Sequence, residues 1–217
     1  MGEKDQPGEY SSPVCYAPEF DTAPATWAEI RAWRKAQRTA IIARRMARDP
    51  EERRRLSAPV IDYLHSAVDV VRYPALGVYW PIRGEIDLRD FARRHVEAGG
   101  VVGLPVVVQD AAPVEFWRWR PGVALKRGHW NIPVPPERDL VRPDVLVVPL
   151  VGFDAGCYRL GYGGGFYDRT LAAAAPRPHT IGIAFADAEL NTIYPQPHDI
   201  PMDVIVTERF VRQRGPN

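Results

Sequence analysis

The spacing of apolar side chains along the chain predicts helices first, and then alternating strands and helices. A helical stripe set among many arginines comprises Ile30, Trp33, Ile41 and Ile42. Thr26, followed three residues later by Glu29, has the pattern of a capping box at the start of this helix. Asp49 and Pro50 predict the cap and the first position of a second helix. We therefore expect two successive amphipathic helices, the first of them strongly basic.

Short apolar segments with strand character follow these helices. Residues 75–81 and 101–108 are apolar and flank a helical pattern at 87–100, an order typical of a parallel crossover. Residues 144–153 form a near-continuous apolar run, which is typical of a buried strand. The remaining predicted elements are a helix at 167–175 and strands at 179–185 and 203–211.

Residues 114–120 alternate aromatic and basic side chains with a period of two. This period predicts a strand with one buried face. We therefore expect one of Trp117 and Trp119 in the core and the other on the surface.

Together the elements predict the α/β class, as a single three-layer α/β/α domain with a mostly parallel central sheet over residues 26–217. Residues 1–25 are rich in Pro, Ser, Gly and acidic side chains, a composition that predicts an irregular N-terminal arm. In such sheets ligands bind beyond the carboxyl ends of the parallel strands. The site is therefore expected at that edge.

Composition narrows the classes of function. The chain has 217 residues, 46% of them hydrophobic, which suffices for one substantial core. Its 28 Lys and Arg residues nearly balance 27 Asp and Glu residues, which argues against a nucleic-acid or membrane partner. Two cysteines and the lack of a long apolar segment favour a cytoplasmic protein. We expect a monomer, and composition leaves higher oligomers open.

The segment from Arg159 to Asp168 carries the strongest chemical signal. Four glycines in five positions between a strand and a helix let backbone N–H groups approach an anion, although the spacing matches neither a Walker A loop nor a dinucleotide fingerprint. Arg159 can add a bidentate contact, and Asp168 can hold a divalent cation. The alternative is a tight turn, for which the interleaved Arg, Tyr and Asp are costly choices. The expected phosphate contacts are Leu160, Gly161, Tyr162, Gly163, Gly164, Gly165, Phe166 and Tyr167.

This segment closely resembles the signature of the 5-formyltetrahydrofolate cyclo-ligase, or methenyltetrahydrofolate synthetase, family. The resemblance covers roughly residues 30–211, including Val148-Pro149 and Phe153-Asp154 before the loop. It implies that ATP phosphorylates the formyl oxygen of the small-molecule substrate 5-formyltetrahydrofolate, after which N10 attacks the activated carbon and phosphate leaves. Such chemistry needs positioning and charge neutralisation more than covalent participation. Arg159 and Tyr167 are the expected catalytic residues.

The same resemblance implies contacts to ATP and Mg²⁺. It places Arg38 at the family's arginine on the first helix and Arg34 where the family commonly has lysine. Lys35 lies one residue off that spacing, so either Arg34 or Lys35 can do the job. Asp168 and Asp199 resemble the carboxylates that bind Mg²⁺, which prefers one or two carboxylates with phosphate oxygens and water. The alternatives are a solvated basic helix face, a helix cap at Asp168 and a turn residue at Asp199.

For the pterin, Trp80, Trp130 and Tyr167 are candidates to form stacking walls. Glu85 can accept hydrogen bonds from N–H groups of the folate. The alternative for Trp130 is ordinary core packing.

Two other functions stay open at this point. One is a family paralogue that binds ATP but acts on a different substrate. The other is a non-catalytic regulator whose basic first helix engages nucleic acid or a partner protein, against which the near-zero net charge counts. That helix carries Arg31, Arg34, Lys35, Arg38, Arg44, Arg45 and Arg48.

Overall fold

The structure, a computed structural model, describes residues 26–215, so the predicted arm at 1–25 lies outside the described residues. The helices are α1 (Trp27–Ala47), α2 (Pro50–Ala67), α3 (Arg89–Glu97) and α4 (Phe166–Ala173). The strands are β1 (Ala75–Gly77), β2 (Val101–Val106), β3 (Glu115–Trp119), β4 (Lys126–Arg127), β5 (Pro133–Val134), β6 (Leu140–Val141), β7 (Val145–Pro149), β8 (Gly152–Phe153), β9 (Arg159–Leu160), β10 (His179–Ile183), β11 (Val204–Val206) and β12 (Val211–Gln213).

The central sheet has the strand order β12-β11-β10-β7-β1-β2-β3-β6. The strands from β11 to β2 in this order run parallel, whereas β12, β3 and β6 each pair antiparallel with the neighbour nearer the centre. The mostly parallel sheet is therefore confirmed, and β1-α3-β2 is the predicted parallel crossover. Two separate ribbons, β4-β5 and β8-β9, lie outside this sheet.

Two apolar clusters cover opposite faces of the sheet and define three layers. Val145 and Val147 of β7 belong to the cluster with α2 and α3, whereas Leu146 and Val148 belong to the cluster with α1 and α4. Successive side chains of a strand point to opposite faces, so α2 and α3 cover one face and α1 and α4 the other. The predicted α/β/α arrangement is confirmed.

Both N-terminal helices begin as the sequence predicts. The Glu29 backbone N–H donates to the Thr26 hydroxyl, and the Glu29 carboxylate accepts from the Thr26 N–H, which completes the capping box. Asp49 accepts from the N–H groups of Glu51 and Glu52 at 2.8 and 3.1 Å. Each cap satisfies backbone donors that the first helical turn leaves unpaired.

The C-terminal strand predicted at 203–211 is wrong as a single element. It consists of β11 and β12, which pair antiparallel around a turn. The Thr207 hydroxyl accepts from the N–H of Phe210 at 3.0 Å and donates to its carbonyl at 3.1 Å, so this side chain closes the turn. The predicted strand at 144–153 is also interrupted, because β7 ends at Pro149 and Gly152–Phe153 pairs with β9.

The prediction of one surface tryptophan on β3 is wrong. Trp117 and Trp119 are each only 8% exposed. Trp117 packs with Val106 and Val134, because the β4-β5 ribbon covers this face of β3. Residues two apart on a strand point to the same face, so Trp117 and Trp119 lie on one side of β3 and are buried together.

Candidate active site

A cavity of about 570 Å³ lies beyond the carboxyl ends of the central parallel strands. Tyr79 and Trp80, which follow β1, and Pro149, the last residue of β7, form part of its wall. Further parts of the wall come from α1, residues 129–134, the glycine-rich loop with the start of α4, and the segments that contain Glu85 and Asp199. Every side chain that the sequence predicts to contact nucleotide, folate or metal lines this cavity.

The glycine-rich loop, residues 161–165, connects β9 directly to α4. Gly163 and Gly165 have φ values of +96° and +64°, a region that side-chain-bearing residues rarely adopt. At Gly164 a Cβ would lie 2.8 Å from the Phe166 ring, so this position needs glycine for space. The loop therefore brings its backbone close to the cavity and ends at the N-terminus of α4, where backbone N–H groups favour an anion.

The basic side chains of α1 meet this loop. Arg38 donates from Nε to the Gly161 carbonyl at 2.7 Å, and its guanidinium lies 3.5 Å from the Cβ position of Gly163. Burial, and then the charge of Arg34, lower the pKa of Arg38 from its ordinary value. A bound anion at this place relieves both penalties.

Arg34 and Lys35 differ sharply in their surroundings. Arg34 is 6% exposed and donates to the carbonyls of Ile193 and Tyr194, both at 2.9 Å, and to Asp199 at 2.6 Å. Lys35 is exposed and lines the cavity. Arg34 is thus committed to contacts within the domain, whereas the Lys35 ammonium is available to a ligand.

Arg159 and Tyr167 lie together in the cavity wall. Arg159 is 7% exposed, donates to the Ile200 carbonyl at 2.9 Å and pairs with Asp168 at 2.8 Å. Burial lowers the pKa of Arg159, and Asp168 opposes that shift. Burial, followed by the charge of Glu85, raises the pKa of the Tyr167 phenol, so at neutral pH it is a hydrogen-bond donor.

Asp168 and Asp199 are compatible with a magnesium site but are engaged by arginines. Oδ1 of Asp168 pairs with Arg159 and accepts from the Ile200 N–H at 3.0 Å. Asp199 accepts from Arg34 and from the Gln196 N–H at 2.7 Å. No group of three or more His, Cys, Asp or Glu side chains within residues 26–215 is arranged to hold a metal. The two carboxylates thus fit an ion that draws its other ligands from phosphate and water.

Glu85 is buried and sits in a hydrogen-bonded network. Its carboxylate accepts from the Tyr162 hydroxyl at 2.6 Å and from the Ile82 N–H at 2.9 Å. Arg45 donates to the same hydroxyl at 2.6 Å and lies 3.7 Å from the carboxylate. Desolvation raises the pKa of Glu85, and the Tyr162 hydrogen bond and the Arg45 charge oppose that rise.

Aromatic rings form the outer part of the cavity. Trp130 is 58% exposed, has a φ of +51° and stands edge to face with Phe166 at a centroid distance of 5.8 Å. Core packing therefore does not account for Trp130. Trp80 is partly buried and also lines the cavity, and the guanidinium of Arg89 lies 5.6 Å from its ring centroid.

Sequence reasoning missed two residues of this region. Trp27 lines the cavity beside His198, and the guanidinium groups of Arg31 and Arg34 lie within 5.7 Å of its ring centroid. The spacing of four and seven residues along α1 is the signal that could have grouped them. Arg45, whose network is described above, gave no such signal because its partners are distant in sequence.

The sequence of this chain is similar to those of known proteins. The model of the 5-formyltetrahydrofolate cyclo-ligase family matches residues 30–208. The cyclo-ligase of Escherichia coli is 31% identical over 171 residues, covering 76% of this chain and 94% of that enzyme. The cyclo-ligase of Mycolicibacterium smegmatis is 38% identical over 122 residues, covering 52% of this chain and 63% of that enzyme, which is less than two thirds of its length.

Two solved structures are also similar. The 5,10-methenyltetrahydrofolate synthetase of Aquifex aeolicus has a TM-score of 0.73 and 31% identity, covering 85% of this chain and 94% of that one. The synthetase of Mycoplasma pneumoniae has a TM-score of 0.64 and 25% identity, covering 81% and 98%. The chain thus shares the α/β fold of these enzymes and has a cavity beyond the carboxyl ends of its central parallel strands.

The chain belongs to the 5-formyltetrahydrofolate cyclo-ligase family, which consists of ATP-dependent ligases. None of the helices within residues 26–215 is both long and apolar enough to cross a membrane.

Proposed function

We propose that the chain catalyses the ATP-dependent cyclisation of 5-formyltetrahydrofolate to 5,10-methenyltetrahydrofolate, with release of ADP and phosphate. The observation that carries the proposal is the contact of Arg38 with the glycine-rich loop, at the same cavity that Glu85 and Trp130 line. A proposed phosphate site and an aromatic site thus share one cavity. The reaction of the 5-formyltetrahydrofolate cyclo-ligase family uses ATP and a folate, and so needs both of these sites.

At the nucleotide end, backbone N–H groups of the loop, Arg38 and Lys35 bind the phosphates. We assign Lys35 rather than Arg34 because Arg34 is held by Asp199 and two carbonyls. We assign Arg159 and Tyr167 to the transferred phosphoryl group and the formyl oxygen, since Arg159 is buried, Tyr167 is partly buried and both line the cavity. Phosphoryl transfer depends chiefly on such positioning and on charge stabilisation.

Asp168 and Asp199 are the residues proposed to hold Mg²⁺. When bound there with phosphate oxygens and water, the ion neutralises charge on the phosphates of ATP. Because Asp168 also pairs with Arg159, the same carboxylate orients a cationic side chain toward the phosphates.

At the folate end, Trp80 and Trp130 provide apolar surfaces for the pterin, and Glu85 accepts hydrogen bonds from its N–H groups. The γ-phosphoryl group passes to the formyl oxygen. N10 then bonds to the formyl carbon, the carbon–oxygen bond breaks, phosphate leaves and N10 loses its proton.

We further propose that the protein is a cytoplasmic monomer and has no nucleic-acid or membrane partner. The balanced charge of the chain supports the absence of such partners. The alternative of a regulator acting through the basic first helix loses support from the geometry. Arg34, Arg38 and Arg45 of that helix make contacts within the domain.

A direct assay tests the proposal. Purified protein with Mg-ATP and 5-formyltetrahydrofolate should generate the absorbance of the methenyl product together with ADP. Calorimetric binding of ATP without binding of the folate would instead indicate a paralogue with a different substrate. Absence of ATP-dependent product from protein that binds both ligands would overturn the proposal.

Replacing Asp168 with Asn tests the metal assignment. We expect the Mg²⁺ concentration for half-maximal activity to rise by at least about 10- to 100-fold, because a metal-binding carboxylate is lost. Asp187→Asn is the matched control, since Asp187 pairs with Arg44 and Arg48 outside the cavity. An unchanged Mg²⁺ dependence in folded Asp168→Asn would contradict the assignment.

A further inference from the structure

Arg45 is a buried cation for which the proposed mechanism has no use. It lies on α1 and is 5% exposed. Its Nε donates to the Arg83 carbonyl at 3.0 Å and its Nη1 to the Leu150 carbonyl at 3.3 Å. Its Nη2 donates to the Tyr162 hydroxyl at 2.6 Å. One guanidinium thus joins α1 to the chain after β7, to the turn before Glu85 and to the glycine-rich loop.

These contacts form a closed network with Glu85. The Tyr162 hydroxyl accepts from Arg45 and donates to Glu85, and Arg45 also lies 3.7 Å from the carboxylate. Gly84 brings the turn against the α1 backbone, since its Cβ position lies 3.2 Å from the Arg45 carbonyl. A carboxylate buried this deeply stays ionised only when it is paired and hydrogen-bonded.

We infer that Arg45 is a positioning residue for the folate end of the site, which keeps Glu85 an ionised acceptor and, through Tyr162, fixes the glycine-rich loop relative to α1. The inference rests on the proposed role of Glu85 in binding the pterin. Arg45 itself touches no substrate in this scheme. Its effect passes through Glu85 and Tyr162.

Other charged and titratable groups around Glu85 do not replace Arg45. Arg83 belongs to the same turn, and Arg53 of α2 lies against Gly84. Tyr79, Tyr162 and Tyr167 are phenols whose pKa values burial raises, so they are neutral near pH 7. Within residues 26–215, Arg45 is the only cation within 4 Å of the Glu85 carboxylate.

Removing Arg45 should shift the titration of Glu85 to higher pH. The attraction lost at 3.7 Å sets an upper limit of about three pKa units at an effective dielectric constant of about 20. Water entering the vacated space reduces this, and we expect a shift of about one to two units. In the proposed scheme Glu85 binds the pterin N–H groups in its ionised form. As the solution is acidified, the variant should therefore lose folate affinity at a higher pH than the wild type does.

The test compares Arg45→Gln, Arg45→Lys and Tyr162→Phe with Arg44→Gln, a matched control on an exposed pair with Asp187. The Glu85 carboxyl titration is followed by ¹³C NMR, with Glu85→Gln for assignment, and folate affinity by calorimetry across the same pH range. We expect the shift to higher pH in Arg45→Gln and a shift in the same direction in Tyr162→Phe. Arg45→Lys should restore most of the wild-type profile, and Arg44→Gln should leave the Glu85 titration unchanged.

An unshifted Glu85 titration in folded Arg45→Gln would overturn the inference. If that variant does not fold, an unshifted titration in folded Tyr162→Phe has the same force. A loss of folate affinity with an unchanged pH midpoint indicates a merely structural role and also counts against it. Because the NMR titration needs neither substrate, this result is separate from failure of the cyclisation assay, which bears on the proposed function.

Discussion

Replacing Arg38 with Met should weaken ATP binding strongly and folate binding little. Arg38 is fixed over the loop by its 2.7 Å hydrogen bond to Gly161 and by packing on Gly163. Hydrogen bonds to charged groups contribute about 1.5–3 kcal/mol each. Losing one such contact to a phosphate raises the dissociation constant for ATP by about 10- to 150-fold.

The same substitution should have a small effect on the free protein. The lost hydrogen bond to Gly161 costs about 1 kcal/mol. Removal of the charge offsets part of this cost, because burial and the neighbouring Arg34 already disfavour the Arg38 charge in the absence of an anion. Methionine retains much of the apolar stem, so we expect a nearly unchanged melting curve.

Calorimetric titration with ATP and with 5-formyltetrahydrofolate separates these effects. Arg44→Met serves as the control, because Arg44 lies on the same helix but pairs with Asp187 outside the cavity. An ATP affinity of folded Arg38→Met within about twofold of wild type would refute the reasoning, since even the weakest charged hydrogen bond is worth more.

Two further predictions concern stability. In Gly164→Ala the added Cβ lies 2.8 Å from the Phe166 ring and 3.2 Å from Trp130, so the free energy of unfolding in urea should fall by about 1–3 kcal/mol. Gly161→Ala is the control, because its Cβ meets nothing within 4 Å, and its free energy of unfolding should fall less. Equal losses in the two variants would contradict this prediction. Hydrogen bonds from Arg138 and Trp117 lower the pKa of Glu115 from 4.5 to about 2, so its stabilisation is complete above pH 4.5 and lost toward pH 2. Glu115→Gln should therefore flatten the stability profile in that window, an effect that identical urea-unfolding profiles for both proteins would exclude.

Local signals in the sequence predicted much of the fold. The capping box at Thr26 and the Asp49-Pro50 step fixed the helix starts, because caps act between residues a few positions apart. The parallel crossover followed from alternating apolar segments, and the glycine-rich loop located the cavity. The roles of the individual site residues stay predictions until they are tested by mutation.

The remaining features depend on contacts between distant parts of the chain. Trp117 is buried because Val134 covers it. Arg34 and Arg45 are buried on α1 because carbonyls and carboxylates from the C-terminal half and from the turn before Glu85 surround them. A basic helix ordinarily predicts a solvated face, and no period in the sequence shows that such partners exist.

Helix α1, which forms part of the cavity wall, differs from the other helices in what it buries. Its buried residues are Arg34, Ile41 and Arg45, so polar contacts do much of what apolar burial does for the other helices. Detachment of this helix breaks the buried polar contacts and also uncovers the apolar face of the sheet on which Ile41 packs, so local opening of α1 costs both. Under the proposed function, ATP that bridges Arg38 and the loop should stabilise the attached helix, and this stabilisation is measurable as slower amide exchange in α1.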